Sequence, residues 1–174
     1  MSPHDLEERA LLVAESLASA AFKLRQKGEV CACAGALNAD GDIVMELITM
    51  PRRMQMIGAL LRKCNGVAFV LVYDGYTTFV GPDVCPACGG SRRVNDQECK
   101  ACRGFGKTLS DRHEAIVTVV RTRWGFTQSF SRPYELKDGK LIELRDEWYE
   151  SRDPNVHVDD YDQVFGGTPQ TSVN

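Results

Sequence analysis

Four cysteines, Cys85, Cys88, Cys99 and Cys102, stand in two C-x-x-C pairs within CPACGGSRRVNDQECKACRGFG, residues 85–106. Each pair lets two sulfurs reach one ion, and the ten residues between the pairs suffice for a hairpin that brings the second pair back to the first. A closed set of four thiolates is the donor set of a structural zinc site. The segment has almost no apolar side chains for a core of its own, so metal binding must stabilise it. Two other readings compete. Inert buried thiols belong among Leu, Ile and Val, whereas these sit among Gly, Arg and Asp. A redox dithiol would give a thiol-disulfide oxidoreductase, but that motif usually opens a helix, and Gly89, Gly90 and Gly104 oppose one here. The expectation is one zinc per chain on Cys85, Cys88, Cys99 and Cys102, with no catalytic or further cofactor-binding residue assigned.

The segment repeats internally: CPACGGSRR and CKACRGFGK share both cysteines, the alanine, a glycine and a terminal base. It resembles the C-x-x-C-x-G-x-G repeat of the cysteine-rich zinc domain of DnaJ-type chaperones. Cys99, Cys102, Gly104 and Gly106 match in full, whereas the first half keeps Cys85, Cys88 and Gly90 but carries Arg92 in place of the last glycine. DnaJ-type domains have four repeats and two zincs, so two repeats imply one zinc. No His-Pro-Asp tripeptide occurs, so the J-domain function is not implied. What the resemblance implies is zinc, a knuckle-like hairpin and, by analogy, binding of a polypeptide partner.

Residues 85–107 hold five basic residues against two acidic ones, on a chain whose total charge is −3. Arg92, Arg93, Lys100, Arg103, Phe105 and Lys107 are therefore the candidate contact surface for a partner. A protein partner is the favoured expectation. RNA or single-stranded DNA is the alternative, but Phe105 is the only aromatic residue for base stacking. Solvation of a glycine-rich loop also accounts for the charge.

Other constellations carry less. His4, His113 and His157 form neither H-x-H nor H-E-x-x-H, so a catalytic zinc is not supported, and no H-x-E precedes the P-C-x-x-C of a deaminase pattern. Cys31 and Cys33 share one strand face and read, like Cys64, as core. Met45, Met50, Met54 and Met56 read as core filling rather than an adaptable surface. Trp124 and Trp148 read as sheet-packing anchors. Asp74, Asp83, Glu114 and Glu143 show no catalytic spacing, which leaves open a site assembled only in three dimensions.

The elements that must position the cysteines follow from periodicity. Ser2, Pro3 and Asp5 start a helix whose apolar face is Leu6, Ala10, Val13, Leu17, Ala21 and Leu24, with Gly28 as its stop. VCACAGAL and DIVMELIT form a hairpin across NADG. Pro51 opens a second helix that Asn65-Gly66 ends. VAFVLVYD is a central strand, and YTTFV beyond Asp74-Gly75 is its hairpin partner or its continuation. EAIVTVVRTRWG, FTQSFSRPYEL and LIELRDEWYES are later strands. The expected fold class is α+β, two helices packed on one face of a mainly antiparallel sheet, with an inserted one-zinc knuckle of four cysteines. The expected organisation is body 1–83, knuckle 84–108, the remaining strands 109–152 and an acidic tail 153–174. The segment from Asp159 to Phe165 reads first as a solvated tail, and otherwise as a docking segment that folds on a partner or one that covers the basic knuckle of the same chain. Outside the insert, this order of elements resembles that of small uncharacterised proteins of bacteria and their phages, a likeness that assigns no function.

Hydrophobic residues make up 43% and charged ones 26% of the 174 residues, enough for one domain with a core. A pI near 5.6 gives no global case for a nucleic-acid or membrane-surface protein. No apolar run approaches the ~20 residues that span a bilayer. An acidic N-terminus and an odd total of seven cysteines, four of them in C-x-x-C pairs, fit a cytoplasmic protein.

Overall fold

A computed structural model describes residues 1–29, 32–144, 149–150 and 163–165. The first helix, α1 (Pro3–Gln26), starts at a capping box: the Asp5 N–H donates to Ser2 Oγ, and the Ser2 N–H donates back to Asp5 Oδ2. These hydrogen bonds hold the Asp5 carboxyl below its usual range. The helix ends at Gly28 with φ +83, where the Glu29 N–H reaches the Leu24 carbonyl at 3.1 Å. A short 3-10 turn, Met50–Arg52, leads into α2 (Arg53–Lys63), which closes in the same way through Asn65 at φ 50 and a Gly66 N–H to Leu61 carbonyl bond of 2.7 Å.

The strands are β1 (Cys33–Leu37), β2 (Ile43–Leu47), β3 (Ala68–Val84), β4 (Arg93–Val94), β5 (Gln97–Glu98), β6 (Lys107–Thr122), β7 (Thr127–Lys137), β8 (Lys140–Glu143) and β9 (Tyr149–Glu150). The main sheet has the order β2-β1-β3-β6-β7-β8, with β9 also on β7, and all pairs are antiparallel. The class is α+β, as expected.

Two expectations need correction, and one open choice is decided. The helices lie on opposite faces of the sheet rather than on one. Ala68, Val70 and Val72 of β3 pack with α1, whereas Phe69 and Leu71 pack with Ile57, Leu60 and Leu61 of α2. Burial on both faces explains why β3 and β6 read as unbroken apolar runs without alternation. Of the two readings of YTTFV, continuation holds: β3 runs straight through Asp74-Gly75, where Asp74 is held by ion pairing and hydrogen bonding on the α1 face. On α1 the buried stripe is Leu6, Ala10, Ala14, Ala18, Ala21 and Phe22, with Val13 and Leu17 only flanking it. Alanines let the helix lie close to the sheet, and this outweighs the larger side chains.

A polar cluster fastens the end of α1. Arg25 Nε lies 3.0 Å from Asp74 Oδ2 and donates to Tyr134 Oη at 2.9 Å, while Tyr134 Oη donates to Asp74 Oδ1 at 2.6 Å. Burial and the neighbouring Asp74 push the Tyr134 phenol well above its ordinary range. Glu114 approaches the same guanidinium at 3.8 Å, and Arg132 forms a two-bond pair with Glu143 between β7 and β8. Asp74, Glu114 and Glu143 are thus each engaged with an arginine.

Under α1, Thr118 of β6 is fully buried and its hydroxyl has no hydrogen-bond partner among the described residues. Thr118→Val removes that unmet group at nearly constant shape. It is expected to stabilise the fold by about 1 kcal/mol, read as a higher urea midpoint at unchanged slope.

Among the described residues, beyond Tyr76 on β3 and before Glu114 on β6 no third strand lies alongside. The two strands continue as a paired arm through two register shifts to Val84 and Lys107. Eight residues of strand give an arm of roughly 25 Å. Residues 85–106 form its tip. No described helix is long and apolar enough to cross a membrane.

Candidate metal centre

The arm ends where the Cys85 N–H donates to the Gly106 carbonyl at 3.0 Å, closing the base of the tip. Between the cysteine pairs, β4 and β5 make a two-residue hairpin, with Asn95 and Asp96 both at positive φ, 50 and 61. That is the turn whose twist matches flanking strands. A Cys99 N–H to Arg92 carbonyl bond of 2.9 Å extends the hairpin and places the second pair beside the first.

The result is a cluster. The four Sγ atoms of Cys85, Cys88, Cys99 and Cys102 all lie within 4.8 Å of one another and could hold a metal ion. Cys88 Sγ and Cys102 Sγ are 3.7 Å apart. Cys85, Cys99 and Cys102 are buried and Cys88 is half-buried, although the tip has no other apolar core.

The internal repeat of the sequence is also a repeat of backbone conformation. Residues 89, 90 and 92 have φ of 55, 85 and 68; their counterparts 103, 104 and 106 have φ of 47, 75 and 74. In each half, the residue four positions after the second cysteine turns its N–H to that cysteine's sulfur. Gly106 donates to Cys102 Sγ at 3.2 Å, and Arg92 does the same for Cys88. Such N–H groups stabilise thiolate and fix ligand orientation. Where the first half carries Arg92 in place of glycine, the left-handed conformation is kept regardless.

The two halves pack tightly at Gly106. A Cβ there would stand 2.8 Å from the Gly90 carbonyl oxygen and 3.0 Å from Arg92 Cγ. Gly106→Ala is therefore expected to weaken metal retention at least ten-fold in chelator competition, by shifting the N–H that faces Cys102. Arg92→Gly, which relieves a left-handed residue, is expected to strengthen retention or leave it unchanged. A harmless Gly106→Ala would contradict the packing of the two halves.

The thiols differ in their electrostatic surroundings. Burial pushes Cys102 up to about 11, against the Gly106 N–H. Burial also raises Cys88, but the Arg92 N–H, the Cys102 thiol and the Gly90 N–H outweigh it and bring Cys88 down to about 7. Metal loading must then expel the Cys102 proton at neutral pH, so affinity falls as pH falls. The fall should steepen below about pH 7, where Cys88 is protonated as well, and competition titrations on either side of that pH check this.

The candidate contact residues surround the cluster. Arg92, Arg93, Lys100, Arg103 and Lys107 are exposed, and Phe105 is half-buried. Val94 on the tip and Val84 at the end of the arm are exposed apolar residues.

The remaining sequence candidates lie away from it. Cys33 is buried against α1, Cys64 is half-buried against the α2 core, and Cys31 lies outside the described residues. Met54 and Met56 pack on the α2 core, but Met45 is 55% exposed on the edge strand β2, so core filling does not hold for it. The side chain of Met50 lies outside the described residues. Trp124 is a second correction: it sits in the β6–β7 turn, 41% exposed, and its Nε1 donates to Glu7 at 2.6 Å, tying the turn to α1 instead of anchoring the sheet. Trp148 and His157 lie outside the described residues. His4 is exposed beside Glu8, and His113 is half-buried on the arm. Of Asp159 to Phe165, a turn at Gln163–Phe165 is described. For these three residues the solvated tail does not hold: the turn rests on the body, with Val164 buried beside Gly58 of α2 and the Phe165 ring 5.9 Å from that of Phe69.

Comparison of the chain with protein-family models, with curated proteins and with solved structures finds no match. The likeness to the DnaJ-type zinc domain rests on Cys85, Cys88, Gly90, Cys99, Cys102, Gly104 and Gly106 alone.

Proposed function

We propose that this protein is a zinc-binding interaction module that presents a one-zinc knuckle to a protein partner. The observation that carries the reading is the convergence of four thiols at the tip of a two-stranded arm, ringed by exposed basic residues. Tetrahedral zinc with Zn–S near 2.3 Å needs sulfurs about 3.8 Å apart, close to the 3.7 Å between Cys88 and Cys102. Four protein ligands leave no open position for substrate, so the zinc supplies folding energy and the knuckle supplies contacts. A reducing cytoplasm would keep the thiols available to the metal.

The backbone supports a contact role for the arginines. Arg92 and Arg103 each occupy a left-handed position that the other half of the repeat gives to glycine. Such positions cost a non-glycine residue roughly 1–2 kcal/mol. Arginine there disfavours the fold and is accounted for by the charge it carries outward. Arg93, Lys100, Lys107 and Phe105 complete the proposed surface.

Charge reversal at Arg92, Arg93 and Arg103, which spares the ligands and Gly106, tests this. The variant is expected to retain its metal and lose the proteins that co-purify with wild type. Retention of every partner would overturn the reading. The same basic tip on an acidic chain favours a second reading, RNA or single-stranded DNA binding. That reading requires an affinity that falls steeply with salt, and no detectable shift at low salt removes it.

A further inference from the structure

We infer that two copies of this chain associate through the outer edge of β2, so that the sheet of one copy continues into the other. β2 ends the strand order, and among the described residues no strand pairs with its outer side. The direction of its backbone groups follows from two hydrogen bonds to the β1 side. The Ile48 N–H donates to the Ala32 carbonyl at 2.9 Å, and the Asn38 N–H donates to the Asp42 carbonyl at 3.0 Å. Bonding alternates along an antiparallel pair, so Val44 and Glu46 also face β1. The N–H and carbonyl groups of Ile43, Met45 and Leu47 therefore point away from it.

The side chains of the same three residues lie on the α1 face, in register with Leu37, Gly35 and Cys33. Ile43 packs against the α1 core, but Met45 is 55% and Leu47 76% exposed. An edge strand is normally guarded by a proline, a lysine, a bulge or an inward-pointing charge. Here β1 and β2 pair without a register shift, and the strand IVMEL holds neither proline nor lysine. Its one charge, Glu46, is bound by Lys63 at 2.8 Å on the α2 face.

The edge fits a second copy of itself. A two-fold axis at Met45 sets Met45 against Met45 and Ile43 against Leu47 on both sides of the axis, apolar against apolar along the α1 face. On the other face it sets Val44 against Glu46, so the two carboxylates are not directly opposed. Charge selects the same antiparallel register. Asp40 and Asp42 stand exposed at one end of the strand and Arg52 stands exposed beyond the other, so each acidic end meets the basic end of the second copy. Arg9 and the Met1 ammonium already lie against the acidic turn, so these charges set the register more than the affinity.

The test is sedimentation velocity of the full chain over a range of concentrations, with and without a chelator. Wild type is expected to show a monomer–dimer equilibrium that survives the chelator, which separates this contact from any made by the knuckle. Met45→Lys is expected to weaken the dimer about ten-fold or more, and so is Met45→Pro, which removes an outward N–H and no bond to β1. Asp40→Arg and Arg52→Asp should each weaken it and together restore it. Amide exchange gives a second readout: the Met45 N–H should gain protection as concentration rises. A monomer at every concentration, or a dimer indifferent to these substitutions, would overturn the inference. So would a Met45 N–H protected in dilute monomer, where a segment of the same chain holds the edge.

Discussion

Replacing Cys102 by serine is expected to abolish metal binding and unfold the knuckle while the body stays folded. Cys102 is fully buried, packs its sulfur against Cys88 and accepts the Gly106 N–H, so it is tied to both halves of the repeat. Structural zinc in small domains supplies about 10–16 kcal/mol of apparent folding energy, far more than any other single contact here. The tip has no alternative source, since the only side chains buried in it are those of Cys85, Cys99 and Cys102. Neither core of the body includes any residue from 85 to 106. Amide exchange separates the two regions: the N–H groups of Cys85, Cys99 and Gly106 should lose protection, while β1 and the first half of β3 keep theirs. A mutant whose tip stays protected would show that the metal is not what holds it.

The second large effect lies in the body. Asp74→Ala is expected to cost about 3 kcal/mol of stability in urea denaturation. The Arg25 and Asp74 side chains are only 16% and 15% exposed, and both engage Tyr134 Oη. Removing the acid leaves a mostly buried guanidinium with the Tyr134 hydroxyl and, among the described carboxylates, only Glu114 at 3.8 Å, and breaking a buried pair from one side costs several kcal/mol. Tyr134→Phe keeps the ion pair and loses only the hydroxyl, so about 1–2 kcal/mol is expected. The double mutant should fall short of the sum, since both changes act on one network. A cost below about 1 kcal/mol for Asp74→Ala would mean that water replaces the cluster freely.

What was legible in the sequence and what was not have physical causes. Caps and cysteine spacing are local signals. Ser2 with Asp5, Gly28 and Asn65-Gly66 mark helix ends because orphan N–H and carbonyl groups need partners within a few residues. The C-x-x-C pairs indicated the cluster for the same reason: each pair reaches one point without help from the fold. The placement of α1 and α2 on opposite faces was less plain, although VAFVLV and EAIVTVV carried the hint, since strands with no polar face must be covered twice. Whether the chain turns or continues at Asp74-Gly75 stayed open in the sequence because the distant partners of Asp74, Arg25 and Tyr134, leave no trace in the local pattern. Trp124 reads as a sheet-packing anchor from its place among the C-terminal strands, and only the fold reveals that it reaches across to Glu7. The matching φ values at Arg92 and Gly106 were likewise hidden, because an arginine does not announce a left-handed backbone.

The central claim is that four thiols at the tip of the arm hold one structural zinc. Its most direct test is metal content per chain, on protein purified under reducing conditions without chelator, alongside thiol reactivity before and after chelation. The account predicts one zinc per chain, with Cys85, Cys88, Cys99 and Cys102 protected from alkylation until the metal is removed. Metal-free protein whose four thiols react at once or pair as disulfides would contradict it.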